Sequence, residues 1–440
     1  MLKIGYARLD ITPPLGTPVA GYFRNRIAED VLDPLELVAL AANDGVNTIL
    51  IITADVLGIK EKWATEIRNL ISERTDVPAE HIYIQGLHQH TSVRIGHDPH
   101  MYDTPSYGDF HDSAYYDILY RKFVDVSKMA INDMSEAEMS IAQQKTAEDI
   151  SFVRRYRLKD GSVRTNPSSK IVDQLEGFAG EADNTVRLVK FTRPEAKDIA
   201  LVNFSTHPDV ISGCKFSADW PGFVRRMTET DIPNVQCIVL VGAQGDTNHR
   251  DMFAENGPRR GYEHSKFMGR TITDVVVDIW NKTEKKNADR VSGQFQTRYI
   301  RTNTSGIEKI EECTQIRKDV LEGKLEIKDL AERANIFRIA TIRNKPLFQK
   351  LPISAVSIGD CAFVGIGGEP FTEYAAVFRA AAPELFVITT CNTNGAEGYL
   401  PTKEAFEEAG YEKSTTNFTV ELVDTVHQTA KEMLDSIKRQ

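Results

Sequence analysis

Histidine ends two apolar runs of this chain, and histidine at the end of a strand is a residue type able to hold a metal ion. In IYIQGLHQHTS, residues 82–92, an apolar stretch stops at Gly86 and then presents His88, Gln89 and His90. Alternation along an extended chain puts His88 and His90 on one side. The C-terminal end of a strand in an α/β sheet is where ligands and metals are normally held, and imidazole suits zinc, copper or iron. Two polar loop residues bonded to backbone are the other reading, so the pair needs partners.

ALVNFSTHPDV, residues 200–210, supplies one by delivering His207 in the same way, with Pro208 barring further strand pairing. QCIVLVGAQGDTNHRD, residues 236–251, ends in small residues that let a ligand approach the backbone, then gives Asp246, Asn248 and His249. A tight turn explains the same glycines. In VGIGGEPFTEY, residues 364–374, Glu369 is either a ligand or a residue favoured by the helix dipole. A polar loop over 391–412 carries Tyr399, a residue type that normally packs. Finally, FVRRYRLKDGSVRTNP, residues 152–167, clusters Arg154, Arg155, Arg157 and Arg164. This is a solvated basic face, or else Arg154 or Arg155 reaches the metal pocket and holds an anionic or polyhydroxylated substrate by forked hydrogen bonds.

The elements that must position these groups read as α/β. Thr48 to Leu57 is a buried strand, Trp63, Ile67, Leu70 and Ile71 follow at helical spacing, and a strand resumes from His81 to Leu87. Further helices are expected near 113–135 and 259–281, with strands near 186–191, 199–205 and 235–241. Residues 150–185 read as a hairpin and a long loop, 306–338 as solvated helices, and 354–365 as a hairpin. Leu422, Val426, Met433 and Ile437 mark one face of a closing amphipathic helix. No internal repeat is visible. The expectation is mixed sheets covered by helices, with a metal-site domain over 1–290 carrying His88, His90 and His207. A C-terminal subdomain over 291–440 carries Glu369 and Tyr399, the two domains forming one compact unit.

Over 440 residues, 53 Lys+Arg against 63 Asp+Glu leave a net charge of −10, which disfavours nucleic acid and anionic lipid and makes a small molecule the expected partner. No apolar run reaches the roughly 18 to 20 residues of a membrane span, and the N-terminus reads straight into a strand, so a cytoplasmic protein is expected. The five cysteines are widely spaced and fit reduced core residues better than disulfides or a thiolate zinc site.

IGYARLDITPPLGTPVAGY, GLHQHTS, VNFSTHPDV with FSADWPGF, LVGAQGDTN, GGEPF and GYLPTKEAF...GYE occur here in the order found in the neutral/alkaline ceramidase catalytic-domain family. The chain resembles that family from about residue 4 to 412. The resemblance implies a zinc metalloenzyme fold with zinc on His88, His207, Glu369 and Tyr399, and His90 at the reacting group. Two imidazoles, a carboxylate and a phenolate suit Zn²⁺ chemically. The chain departs from the pattern at Gly242, where the family carries a catalytic serine. H-T-H-S-G-P has become H-Q-H-T-S-V and Ala396 stands at an earlier tyrosine position, and the β-sandwich domain, signal peptide and lipid-docking segment of the family are not expected here.

The resulting expectation is zinc-dependent hydrolysis of a small polar amide or ester by a metal-bound water in place of a serine. His90 and Asp246 would orient that water or stabilise the oxyanion. The alternatives are a zinc-assisted isomerase, epimerase or lyase on a sugar-like hydroxycarbonyl compound, and a zinc-stabilised binding protein without turnover.

Overall fold

The computed structural model describes residues 1–22, 26–96 and 113–439. Its strands are the apolar runs of the sequence. Thr48–Ala54 reads TILIITA and is buried from Ile49 onward, as a strand covered on both faces must be. In the neighbouring strand Glu36–Asn43, Leu37, Ala39 and Ala41 pack against helices, while Val38, Leu40 and Ala42 face a central core. The period of two in side-chain direction sorts them.

One strand order occurs three times. In the first sheet, Ile82–Gly86 lies beside Thr48–Ala54, then Glu36–Asn43, then Lys3–Asp10. In the second, Val235–Val241 lies beside Asp198–Phe204, Thr185–Thr192 and Glu138–Lys145. In the third, Phe386–Thr390 lies beside Cys361–Ile366, Phe348–Ile358 and Val291–Arg301. Each time the first three strands in chain order are antiparallel. A helix then crosses over, and the fourth strand pairs parallel with the third. The crossover helices are Glu61–Thr75, Asp219–Asp231 and Thr372–Ala381, and a second helix follows each fourth strand: Ser113–Asn132, Tyr262–Ile279 and Glu421–Arg439.

The chain is therefore a threefold topological repeat, which corrects the reading that no repeat is present. The sequence hides it because segments of very unequal length, 11–35, 146–184 and 302–347, separate the first and second strands of the three units. The third unit begins at Val291.

Each sheet turns one face outward to its own helices and the other inward. The inward faces meet in one cluster, in which Leu40, Ile51 and Tyr83 of the first sheet join Val189, Leu201 and Leu240 of the second and Val356, Phe363 and Ile388 of the third. The closing helix buries Leu422, Val426, Met433 and Ile437 against the third sheet, as its spacing predicts. All five cysteines are free, four of them buried. Among the described residues no helix is long and apolar enough to cross a membrane.

A buried ion pair joins the first two units. Arg225, on the crossover helix of the second, donates to both carboxylate oxygens of Asp55 and, at 2.9 Å, to Glu36 of the first. Removing one partner would leave a buried charge alone, a loss that typically costs about 3–5 kcal/mol.

Candidate metal centre

In each unit the third and fourth strands run parallel, so both end at the same edge of their sheet. The three edges meet, and the loops leaving them build one site. His207 and Glu369 each stand three residues beyond the third strand of their units, after Phe204 and Ile366, and Leu57 holds the same place in the first unit, after Ala54. His88 and Asn392 stand two residues beyond the fourth strands of the first and third units, after Gly86 and Thr390.

His88 does not continue the strand. Its φ of 71° is left-handed, an uncommon conformation for a side-chain-bearing residue, and Asn392 shares it with φ of 45°. The two histidines of H-Q-H therefore meet through this turn and not through strand alternation. Their rings lie edge to face with centroids 5.0 Å apart.

His88 Nδ1 is 2.7 Å from the Leu57 carbonyl oxygen, and His207 Nδ1 is 3.1 Å from that of Gln244. A ring nitrogen facing a carbonyl carries the proton, which leaves each Nε2 as a lone pair. Those lone pairs point to one place: His88 Nε2 and His207 Nε2 are 3.3 and 3.4 Å from Glu369 Oε2, and His88 Nε2 is 3.4 Å from His90 Nε2. All four side chains are buried, and His207 Nε2 and Glu369 Oε2 lack hydrogen-bond partners. Acceptors gathered at this spacing repel one another unless a cation lies among them. Donors about 2.0–2.1 Å from a tetrahedral zinc stand roughly 3.3 Å apart, so the donor set fits such an ion. His88, His90 and His207 form a group able to hold a borderline metal ion.

The electrostatics keep His207, His90 and Glu369 in ligand form. Burial, reinforced by Arg154 and His88, lowers His207 to about 3, and burial with His88 and His207 holds His90 well below the usual histidine range. Burial alone would raise Glu369, but His88, His207 and Arg154 outweigh it and keep the carboxylate ionised.

Tyr399 faces Glu369 across a two-residue parallel bridge, and its ring stacks on that of His207 at 6.4 Å. Burial raises its phenol well above the ordinary value, opposed by the Arg154 guanidinium 5.1 Å from the ring centre. Arg154 itself is buried. Its Nε donates to Glu412 at 2.8 Å and its Nη2 to the Gly245 carbonyl at 2.9 Å. Arg155 donates to Glu408 at 2.8 Å, so the two arginines singled out in the sequence are both joined to carboxylates of the segment after Tyr399.

Asp246 is directed to a helix start: its Oδ1 accepts from the backbone N–H and hydroxyl of Thr372 at 2.8 and 2.9 Å, three residues beyond Glu369. Burial raises its carboxyl to about 6 from 3.8. Between those values the folded protein holds a proton that the unfolded chain has lost, so this group's contribution to stability is full below about pH 4 and declines as pH rises through 6. That difference corresponds to about 3 kcal/mol. Asp246→Asn keeps an acceptor for Thr372 and is expected to flatten that decline, with the largest gain at neutral pH. Denaturant unfolding of both proteins at pH 4.5 and 7.5 measures it, and an equal difference at the two pH values refutes it.

Gly242 is small for a steric reason. A Cβ there would stand 2.0 Å from Ser205 Oγ. Gly242→Ser is therefore expected to destabilise the fold by about 1–3 kcal/mol without creating a nucleophile. Unchanged denaturant stability would show that Ser205 can turn aside.

Several residues near the site carried no clear signal in the sequence. Asn392 Nδ2 lies 3.0 Å from His88 Nδ1. Asp209 lies 3.3 Å from His249 Nδ1, and Lys60 and Arg94 line the cleft in front of the cluster. Asp209 and Asn392 were readable only as polar residues of loops leaving strands.

No known protein-family profile and no curated protein matches this sequence. Its fold does match solved structures. A neutral ceramidase from Pseudomonas aeruginosa superposes with a TM-score of 0.75 at 14% identity, over 100% of this chain and 75% of that one. A ceramidase complexed with C2 gives 0.73 at 14% identity with the same coverage. The chain thus has a mixed α/β fold like that of neutral ceramidase, with a histidine cluster able to hold a metal where its three sheets meet.

Proposed function

We propose that this protein is a zinc-dependent hydrolase of a small polar amide or ester. The observation that carries the reading is the convergence of His88 Nε2 and His207 Nε2 on Glu369 Oε2, each imidazole oriented by a backbone carbonyl. His88, His207, Glu369 and Tyr399 would hold the ion. Zinc supplies Lewis acidity there, polarising a carbonyl and making water a nucleophile near neutral pH.

The chain does the rest. His90 is neutral and buried, its backbone N–H donating to Pro208 O at 3.0 Å and its carbonyl accepting from Arg26 at 2.8 Å. It is the base that takes a proton from the attacking water and returns it to the leaving group. Arg154 favours the phenolate of Tyr399. Asp246 and Arg155 act as positioning residues, the first by tying the GAQGD loop to the helix start after Glu369, the second by holding Glu408.

The fold likeness to ceramidase supports the hydrolase class, and the cleft lining, whose only aliphatic side chains among the described residues are Leu57 and Ala396, supports a polar substrate. Turnover in ¹⁸O-water tests the reaction: hydrolysis places the label in the acid product. A product isomeric with its substrate overturns the reading in favour of carbonyl isomerisation.

A further inference from the structure

Asn392 holds, in the third unit, the place that His88 holds in the first. Each lies two residues beyond the fourth strand of its unit, and both are left-handed, with φ of 45° and 71°. That conformation costs an asparagine less than most residues and persists where the surroundings fix it. Here the Asn392 N–H donates to Gly368 O at 2.7 Å and its carbonyl accepts from Gly86 N–H at 3.2 Å. The residue is thereby tied to the chain beside Glu369 and beside His88.

Its side chain is 1% exposed and lines the cleft in front of the histidine cluster, a cavity of about 60 Å³ that His88, His90, Glu369 and Tyr399 also line. Asn394, two residues on, commits its amide to the fold. Its Oδ1 accepts from Ile84 N–H at 3.1 Å, and its Nδ2 donates to Ile82 O at 3.1 Å and Ser354 Oγ at 2.8 Å. Asn392 has no such set: among the described residues its side chain makes one hydrogen-bonding contact, Nδ2 to His88 Nδ1 at 3.0 Å.

That contact depends on the tautomer of His88. When the Nδ1 proton is donated to Leu57 O, as ligation through Nε2 requires, Nδ1 has no lone pair left for the amide. A half-turn of the amide exchanges two groups of nearly equal size, sets Oδ1 against Nδ1–H and turns the NH2 away from His88. A buried NH2 without an acceptor is costly, and an oxygen bound in the cleft relieves it.

We infer that Asn392 is a catalytic residue of the proposed hydrolysis. Its NH2 donates to the carbonyl oxygen of the bound amide or ester and to the oxyanion that develops there as water adds, while its Oδ1 accepts from His88 Nδ1–H. This rests on the hydrolase reading and deepens it. A donor fixed before the reaction needs no reorganisation as charge builds on the oxygen, and one such donor is typically worth about 10²–10³ in kcat.

The test compares zinc-loaded wild type with Asn392→Gly, which accepts a left-handed backbone, and Asn392→Asp, which keeps an acceptor for His88 but has no N–H to give. Three quantities are read: zinc retained against a competing chelator, hydrolysis of 4-nitrophenyl acetate, and calorimetric affinity for acetohydroxamate, whose carbonyl oxygen stands in for the substrate's. At full metal occupancy both variants are expected to lose about 10²-fold in kcat with KM changed by no more than about 3-fold, and to bind acetohydroxamate about 10-fold more weakly. Zinc affinity is expected to fall in Asn392→Gly and to hold in Asn392→Asp. If Asn392→Gly does not fold, Asn392→Asp carries the same expectations for kcat and affinity. Wild-type kcat in metal-loaded Asn392→Gly, or kcat restored together with zinc affinity in Asn392→Asp, overturns the inference and leaves the hydrolase reading intact, because the residue then acts only through His88. Weakened acetohydroxamate binding in both metal-loaded variants, with no ester turnover by the wild type, supports the donor and counts against the hydrolase reading. A zinc-loaded wild type that neither hydrolyses the ester nor binds acetohydroxamate overturns both.

Discussion

Replacing His88 or His207 with alanine is expected to empty the metal centre while leaving the protein folded. Wild-type protein dialysed after zinc loading should retain about one ion per chain, and either variant close to none. The expectation is this strong because the donors cannot substitute for one another. Each leaves a different strand end, and each Nε2 is aimed by a hydrogen bond from Nδ1 to a fixed carbonyl. Folding should survive because the three sheets are held by a central apolar cluster that contains neither histidine. Glu369→Gln should lie between, retaining volume and one weak donor while losing the charge that balances the ion. Metal analysis with a thermal melt on the same samples decides the matter. Wild-type metal content in both histidine variants refutes the assignment.

Ceramide is expected to be turned over at least about 10²-fold more slowly than the best polar amide. Gly242 offers no nucleophile, and a side chain added there would first have to displace Ser205 Oγ. The cleft is small, and Lys60, Arg94 and Glu397 line it where a lipid chain would need aliphatic side chains. Burying a charged wall under hydrocarbon removes its hydration without replacing it, which costs several kcal/mol per ion. Assays of a short-chain ceramide against soluble acyl-amino compounds, with a metal-stripped control, measure the ratio. Zinc-dependent ceramide turnover in the usual enzymatic range of about 1 to 10³ per second, matching the polar substrates, defeats the expectation.

Much of the site was legible because it is built locally. An apolar run that ends in a small residue and then offers histidine or glutamate is visible without knowing where the run packs, and so His88, His90, His207 and Glu369 could be named. The strand, helix, strand texture of the first unit was legible for the same reason, since period and breaker residues act over a few positions. The reason given for pairing His88 with His90 was wrong in detail. A left-handed residue after Gly86 does what extended alternation was expected to do, and αL at a histidine has no sequence signature.

By itself, then, the sequence determined which strands are apolar on both faces, where they stop, and which side chains able to hold a metal stand at those stops, because hydrophobic periodicity and turn chemistry are short-range. Only the tertiary structure decided that three sheets of one topology turn their parallel edges to a common point, since that depends on how inward faces 100 or more residues apart exclude water together. It also decided which charges face the cleft. Arg154 and Arg155 stand in a conspicuous basic run but are joined to Glu412 and Glu408 from the far end of the chain. Charge is a property of a residue, but whether that charge is available to a ligand depends on what else the fold brings within a few ångströms.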